Sequence, residues 1–286
     1  MDRPQAATGT GPYESPVGTE RTQPGWYEHL SGLALASVGR ASDCVRLGFE
    51  RGFDSGEMMD AIYADQPSGR WLVGSWLDRI YLGQPGCRGL RARKALLTST
   101  LARIVEEQRE AGRRPVILDV AAGPATYLVE LLSEDRGPDL TALARDRDEH
   151  ALERGRHLAA SAGVSDRLRY ERGDALDEDA LVSLDPRPSI VIASGFYELL
   201  LDESVIARSM AITRRMLGAG DPFVFTTQVA HPQVAMMAVV PAHDGRPWII
   251  RNRPLHAVES LARGAGFPDV TSEMEPEGIF AVSVAS

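Results

Sequence analysis

The stretch "PVILDVAAGPATYLVELL", Pro115–Leu132, decides the fold. An apolar run of strand type stops at Asp119, a turn of small residues follows, and apolar residues then recur at helical spacing. A helix that opens directly from such a turn offers free backbone N–H groups to a polar ligand. Ala121, Ala122, Gly123 and Ala125 let the backbone approach that ligand closely. One glycine stands where a dinucleotide fingerprint has three, so the turn alone is a weak nucleotide signal.

Downstream, strand and helix alternate. "LTALARD" is a strand, "EHALERGRHLAASAG" a helix, "LRYERGD" a strand and "SIVIASG" another, with a short helix near Asp177–Leu184 between them. "DESVIARSMAITRRMLGAG" is a helix, "PFVFTTQ" a strand and "LHAVESLARGAG" a helix. This alternation implies parallel strands joined by crossovers, a doubly wound α/β sheet. The chain closes with two strand-like runs in "DVTSEMEPEGIFAVSVAS", linked only by "EPEG", and so short a link permits only an antiparallel pair. The expected fold is therefore a mostly parallel, seven-stranded sheet ending in an antiparallel hairpin, over residues 113–286.

Upstream the texture is helical. Residues 26–112 carry apolar residues at helical spacing with no strand signal, and are expected to form an N-terminal helical cap. Residues 1–25 are polar and rich in Pro, Gly and Thr, the composition of a disordered leader. The 286 residues carry a net charge of −9, which disfavours a nucleic-acid partner. No signal peptide or membrane-spanning run is present, and a cytoplasmic protein is expected. Cys44 and Cys87 lack CxxC spacing, so neither a disulfide framework nor a metal site is indicated. Lys94 is the only lysine, and no Gly-Lys-Ser/Thr loop exists. Pyridoxal and P-loop chemistry are thereby disfavoured.

The acids after the strands carry the ligand argument. Asp119 ends the first strand. Asp146 ends the second, 23 residues beyond Gly123, where a carboxylate accepts hydrogen bonds from ribose hydroxyls; Asp148 is the substitute. After the third strand, Asp174 can accept from an adenine amino group and Ala175 can offer its N–H. A parallel sheet finished by one antiparallel hairpin is the plan of the S-adenosylmethionine (SAM)-dependent methyltransferases. Residues from about 75 to 286 resemble an uncharacterised methyltransferase-like family in "DRIYL", "CRGLRARK", Arg145–Asp146, "GDAL", "SGFYELL", "QVAHPQ" and "GIFAVSVA". "GPATY" departs from the more usual Gly-x-Gly-Arg-Tyr of that family.

The resemblance implies SAM as cofactor, held by Asp119, Ala121, Gly123, Asp146, Asp174, Ala175 and Ser194. Tyr197, just past the fourth strand, is a candidate to stack on the sulfonium, orient an acceptor or act as base. Glu198 and His231 are the other catalytic candidates. Arg91, Arg93, Arg251 and Arg253 are candidates to clamp a carboxylate. The expected function is methyl transfer to a small-molecule metabolite. The alternatives are a SAM cyclase that forms azetidine-2-carboxylate or aminocyclopropane carboxylate plus methylthioadenosine, and a nucleotide-binding protein without turnover. Exposed apolar residues in the cap would suit a homodimer.

Overall fold

The computed structural model describes residues 24–135 and 137–286. The leader expected over residues 1–25 lies almost wholly outside them. Five helices come first: α1 (Trp26–Ser37), α2 (Asp43–Arg51), α3 (Gly56–Ala64), α4 (Trp71–Leu82) and α5 (Pro85–Glu110). The alternating part follows as β1 (Val116–Asp119), α6 (Thr126–Glu134), β2 (Thr141–Asp146), α7 (Glu149–Ser161) and β3 (Leu168–Arg172). It continues with α8 (Glu178–Val182), β4 (Ile190–Ala193), α9 (Glu203–Met216), β5 (Phe223–Gln228) and the short α10 (Val234–Met237). The chain ends with α11 (Leu255–Gly264), β6 (Val270–Met274) and β7 (Phe280–Ala285).

The described strands form one seven-stranded sheet in the order β3-β2-β1-β4-β5-β7-β6. The first five strands are parallel, and β7 inserts antiparallel between β5 and β6. This is the expected topology. β4 and β5 are buried along their whole length, as a central parallel strand covered on both faces must be. One face is covered by α5, α6 and α7, with Leu101, Leu128 and Ala159 meeting Ile117, Ile192 and Val224. The other is covered by α8, α9 and α11, with Leu181, Met210 and Val258 meeting Leu118, Val191 and Phe223.

α5 runs from the cap into the sheet domain. α5 carries its buried residues at helical spacing (Gly86, Gly89, Arg93, Leu97, Leu101, Ile104, Gln108), and Leu97, Leu101 and Ile104 pack into the sheet core. It is one continuous helix of 26 residues whose first half meets the cap and whose second half is a layer of the α/β sandwich. α2, α3 and α4 build a small cap core from Cys44, Met58, Ile62 and Leu82, completed by Cys87 at the start of α5. Both cysteines are free and buried, and burial pushes each thiol up to about 12.

Asp78 on α4 ties the cap together. It is fully buried, takes the hydroxyl of Ser42, which is also the N-cap of α2, and accepts the N–H groups of Cys44 (3.1 Å), Ser68 (2.9 Å) and Gly69 (2.6 Å). Burial works to raise its pKa, but these hydrogen bonds outweigh it and hold the carboxyl below its ordinary range. Outside this core, α1 buries no side chain, and α4 leaves Trp71, Leu72, Val73 and Trp76 more than half exposed.

Candidate active site

β2 lies on one side of β1 and β4 on the other, so the turns after β1 and β4 leave the sheet at its topological switch point. The turn after β1 is fixed from below. The Ala122 N–H donates to the Arg145 carbonyl (2.9 Å), and the Gly123 N–H donates to Oδ2 of Asp146 (2.7 Å). Oδ1 of Asp146 accepts the Asp148 N–H (2.9 Å), so the carboxylate bridges the turn and the start of α7. Above the turn there is room: Gly123 has φ +53°, and no atom lies within 4 Å of the point a Cβ would occupy. Asp148 instead caps α7, accepting the His150 N–H (3.0 Å).

Asp174 follows β3, with Oδ1 on the Leu176 N–H (2.9 Å) and Oδ2 on the exposed Arg147 (2.9 Å). Ala175 beside it is buried, and Ser194, past the end of β4, is half-buried. Ala121, Gly123, Asp146, Asp174, Ala175 and Ser194 therefore follow one edge, the carboxyl ends of β1 to β4. Asp119 departs from this set. It is fully buried, bonded by the Tyr127 hydroxyl and the Ala121 N–H (3.3 Å), and burial pushes its carboxyl up to about 7. It shapes the turn from beneath rather than facing the opening.

The catalytic candidates separate as clearly. Tyr197 is 1% exposed and packed among Phe196, Phe223 and Phe225, its hydroxyl 3.3 Å from Ser209 on α9. Burial raises its pKa, and its ring belongs to the core on the α9 face. Tyr197, expected to meet substrate, packs in the core here, with its ring and hydroxyl against protein groups. His231 is also buried. Its Nδ1 accepts the Gln233 N–H (3.1 Å), its Nε2 packs against Gly86 of α5, and burial lowers it to about 4. A neutral imidazole wedged in this way holds the loop after β5 against α5.

Glu198 takes the opposite face to its neighbour. It is 5% exposed, with Oε1 accepting the Thr226 hydroxyl (2.8 Å), which itself accepts the Gly195 N–H (2.8 Å). Oε2 is buried and has no hydrogen-bond partner among the described residues. Burial raises the carboxyl's pKa against the pull of Arg93, whose Nη1 lies 3.6 Å from Oε1. Arg93 reaches this point from α5, also touching the Tyr63 hydroxyl (3.4 Å) and lying over the Phe280 ring (4.9 Å). The other three candidate arginines bind backbone carbonyls: Arg91 those of Ile62 and Leu82, Arg251 that of Leu201, and Arg253 those of Tyr197 and Leu200. Of the four, Arg93 alone points at the site.

α3 closes the arrangement from above. Gly56 packs on Pro124 of the turn, Asp60 accepts the Thr126 hydroxyl (2.7 Å) and pairs with Arg154, and Glu57 meets His150 (3.0 Å). A groove of about 410 Å³ between α3, α5 and α6 runs along Arg91, Lys94 and Glu130 to Tyr63. Lys94 pairs there with Glu130 and stacks on the Tyr63 ring (4.9 Å). Among the described residues no cluster of His, Cys, Asp or Glu is arranged to hold a metal ion, and no helix is long and apolar enough to cross a membrane.

A family model described as "Putative methyltransferase" matches residues 14–286. The chain belongs to that family. It is 36% identical over 254 residues to the uncharacterized protein YnbC of Escherichia coli K12, a match covering 88% of the chain and 43% of YnbC. The chain thus spans less than half the length of that relative. Among solved structures, a possible exported protein from Bordetella parapertussis superimposes with a TM-score of 0.67 at 20% identity, covering 90% of this chain and 85% of that one. The SAM-dependent methyltransferase SibL superimposes at 0.52 with 15% identity, covering 91% and 70%. Both likenesses are of fold: the chain has the class I, Rossmann-like fold of the SAM-dependent methyltransferases.

The residues fit that cofactor. The turn offers open space over Gly123 with the Asp146 carboxylate beside it, and the Asp174–Arg147 pair is an exposed contact that a ligand amino group can replace at little cost. Among the described residues no lysine or arginine side chain hydrogen-bonds the turn, which suits a cationic sulfonium.

Proposed function

We propose that the chain transfers the methyl group of SAM to a small-molecule acceptor, with the reacting centre beside Glu198. Ala121, Gly123 and Ser194 would hold the amino-acid part, Asp146 the ribose, and Asp174 with the Ala175 N–H the adenine. When bound, SAM supplies a methyl group on a sulfonium that departs as a thioether with the bond's electron pair. Glu198 takes, at Oε2, the proton that the acceptor's nucleophile releases; its raised pKa makes it a stronger base than an exposed carboxylate. Thr226 orients the carboxyl through Oε1. The buried thiols of Cys44 and Cys87 fit a reducing compartment, the cytoplasm.

The observation that carries this reading is the Asp146 clasp on the Gly123 N–H, under open space at the switch point. Calorimetry tests it with SAM and S-adenosylhomocysteine. Asp146→Ala is expected to weaken both about ten- to a hundred-fold, about 1.4–2.8 kcal/mol, through loss of charged hydrogen bonds to the ribose and of the clasp. Unchanged affinity would remove Asp146 from the site. Mass spectrometry of the reaction separates the chemistries: methyl transfer leaves S-adenosylhomocysteine, whereas cyclisation leaves methylthioadenosine.

A further inference from the structure

We propose that the acceptor is a small hydroxylated carboxylic acid, its carboxylate held by Arg93 and its hydroxyl presented to Oε2 of Glu198; this rests on the methyltransferase reading and names the substrate class of that site. Arg93 is 7% exposed and carries five N–H donors in a fork. Its polar neighbours are the Tyr63 hydroxyl at 3.4 Å and Glu198 at 3.6 Å, both too distant to satisfy it well. The rest of the fork has no hydrogen bond among the described residues, and a carboxylate is the group whose geometry fits it.

Glu198 presents the complementary need. Oε1 is occupied by Thr226, while Oε2 is a buried acceptor without a donor among the described residues. Such an atom needs an explanation, and a ligand hydroxyl supplies one. Because the two side chains are neighbours, one compact molecule bearing an acid and a hydroxyl answers both. The groove that holds the Lys94–Glu130 pair leads to Tyr63, whose hydroxyl touches Arg93.

The experiment is calorimetry on the full chain saturated with S-adenosylhomocysteine. The probes are 4-hydroxybenzoate, salicylate and lactate, each beside its uncharged alcohol: 4-hydroxybenzyl alcohol, salicyl alcohol and propane-1,2-diol. At least one acid is expected to bind about tenfold or more tightly than its alcohol. Arg93→Gln should bring that ratio to about one while S-adenosylhomocysteine affinity is kept, and Arg93→Lys should restore part of it. Equal binding of acids and alcohols, a ratio unchanged in Arg93→Gln, or binding of no acid by the loaded protein overturns the proposal. Loss of S-adenosylhomocysteine in both Arg93 variants overturns it too, by assigning Arg93 to the cofactor's own carboxylate. If the wild-type chain fails to bind S-adenosylhomocysteine, the methyltransferase reading itself has failed, a separate result. Should Arg93→Gln not fold, as a thermal melt would show, the Arg93→Lys ratio decides.

Discussion

At the scale of single residues, adjacent positions in the chain serve opposite faces of the sheet. Gly195, at φ +69°, turns the backbone after β4, so Tyr197 enters the core under α9 while Glu198 faces α5. Tyr197→Phe is expected to retain nearly full turnover and to cost about 0.5–1.5 kcal/mol of stability through the lost Ser209 contact. A hundred-fold fall in kcat would return the residue to the chemistry. This turn was not legible in the sequence: "SGFYELL" places both residues near the strand end, and only the glycine's dihedral decides which one faces the opening. Arg93 was legible. It stands on the same stripe as Gly86, Gly89, Leu97 and Leu101, and a charge on a buried stripe demands a reason. Asp119 yields a pH prediction. Its folded carboxyl titrates at about 7, above its value of about 3.9 in an unfolded chain, so the folded state favours the protonated form. Stability should therefore fall as pH rises from about 4 to 7. Thermal melts of Asp119→Asn should lack that decline, and parallel profiles for variant and wild type would contradict the assignment.

At the scale of elements, the seven β-strands and their parallel run closed by an antiparallel hairpin followed from sequence because strand–helix alternation and the four-residue link "EPEG" leave few topologies. The limits of the cap did not follow, since an amphipathic stripe says that a helix buries one face without saying what it is buried against. α5 satisfies the same periodicity against cap and sheet in turn. The cap's own integrity depends on Asp78, which joins α2, α4 and the link between α3 and α4. Asp78→Ala would leave three backbone N–H groups without their acceptor, and a loss of about 2–4 kcal/mol is expected. Hydrogen exchange should show the loss confined to residues 42–82, with β1, β4 and β5 still protected. Uniform deprotection of the sheet would mean that the cap and sheet unfold together.

At the scale of the molecule, the cap is moored to the sheet domain by charge as well as by packing. Asp54, ahead of α3, accepts the N–H of His243 (2.6 Å) and meets its Nδ1 (2.7 Å), and this hydrogen bond raises the histidine's pKa. A raised histidine contributes stability that is complete below the unfolded value of about 6.5 and is lost as pH rises through the folded value. Wild-type melting temperature should thus drop across neutral pH, and Asp54→Asn should flatten that part of the profile. A variant with the wild-type slope would place the titration elsewhere. None of this mooring was legible in the sequence, where Asp54 and His243 are nearly two hundred positions apart and each resembles an ordinary surface group.

The position of Lys94 gives the chain an unusual experimental handle. Because it is the sole lysine, an amine-directed acylating reagent has one side-chain address in the entire polypeptide, and that address is the groove wall against Tyr63. Peptide mapping separates its adduct from any at a terminal amine. The extent of acylation therefore reports occupancy of a single place without a engineered tag. A molecule travelling along this groove should shield the amine in proportion to its saturation, whereas one that reaches Arg93 by another route should leave the labelling rate untouched.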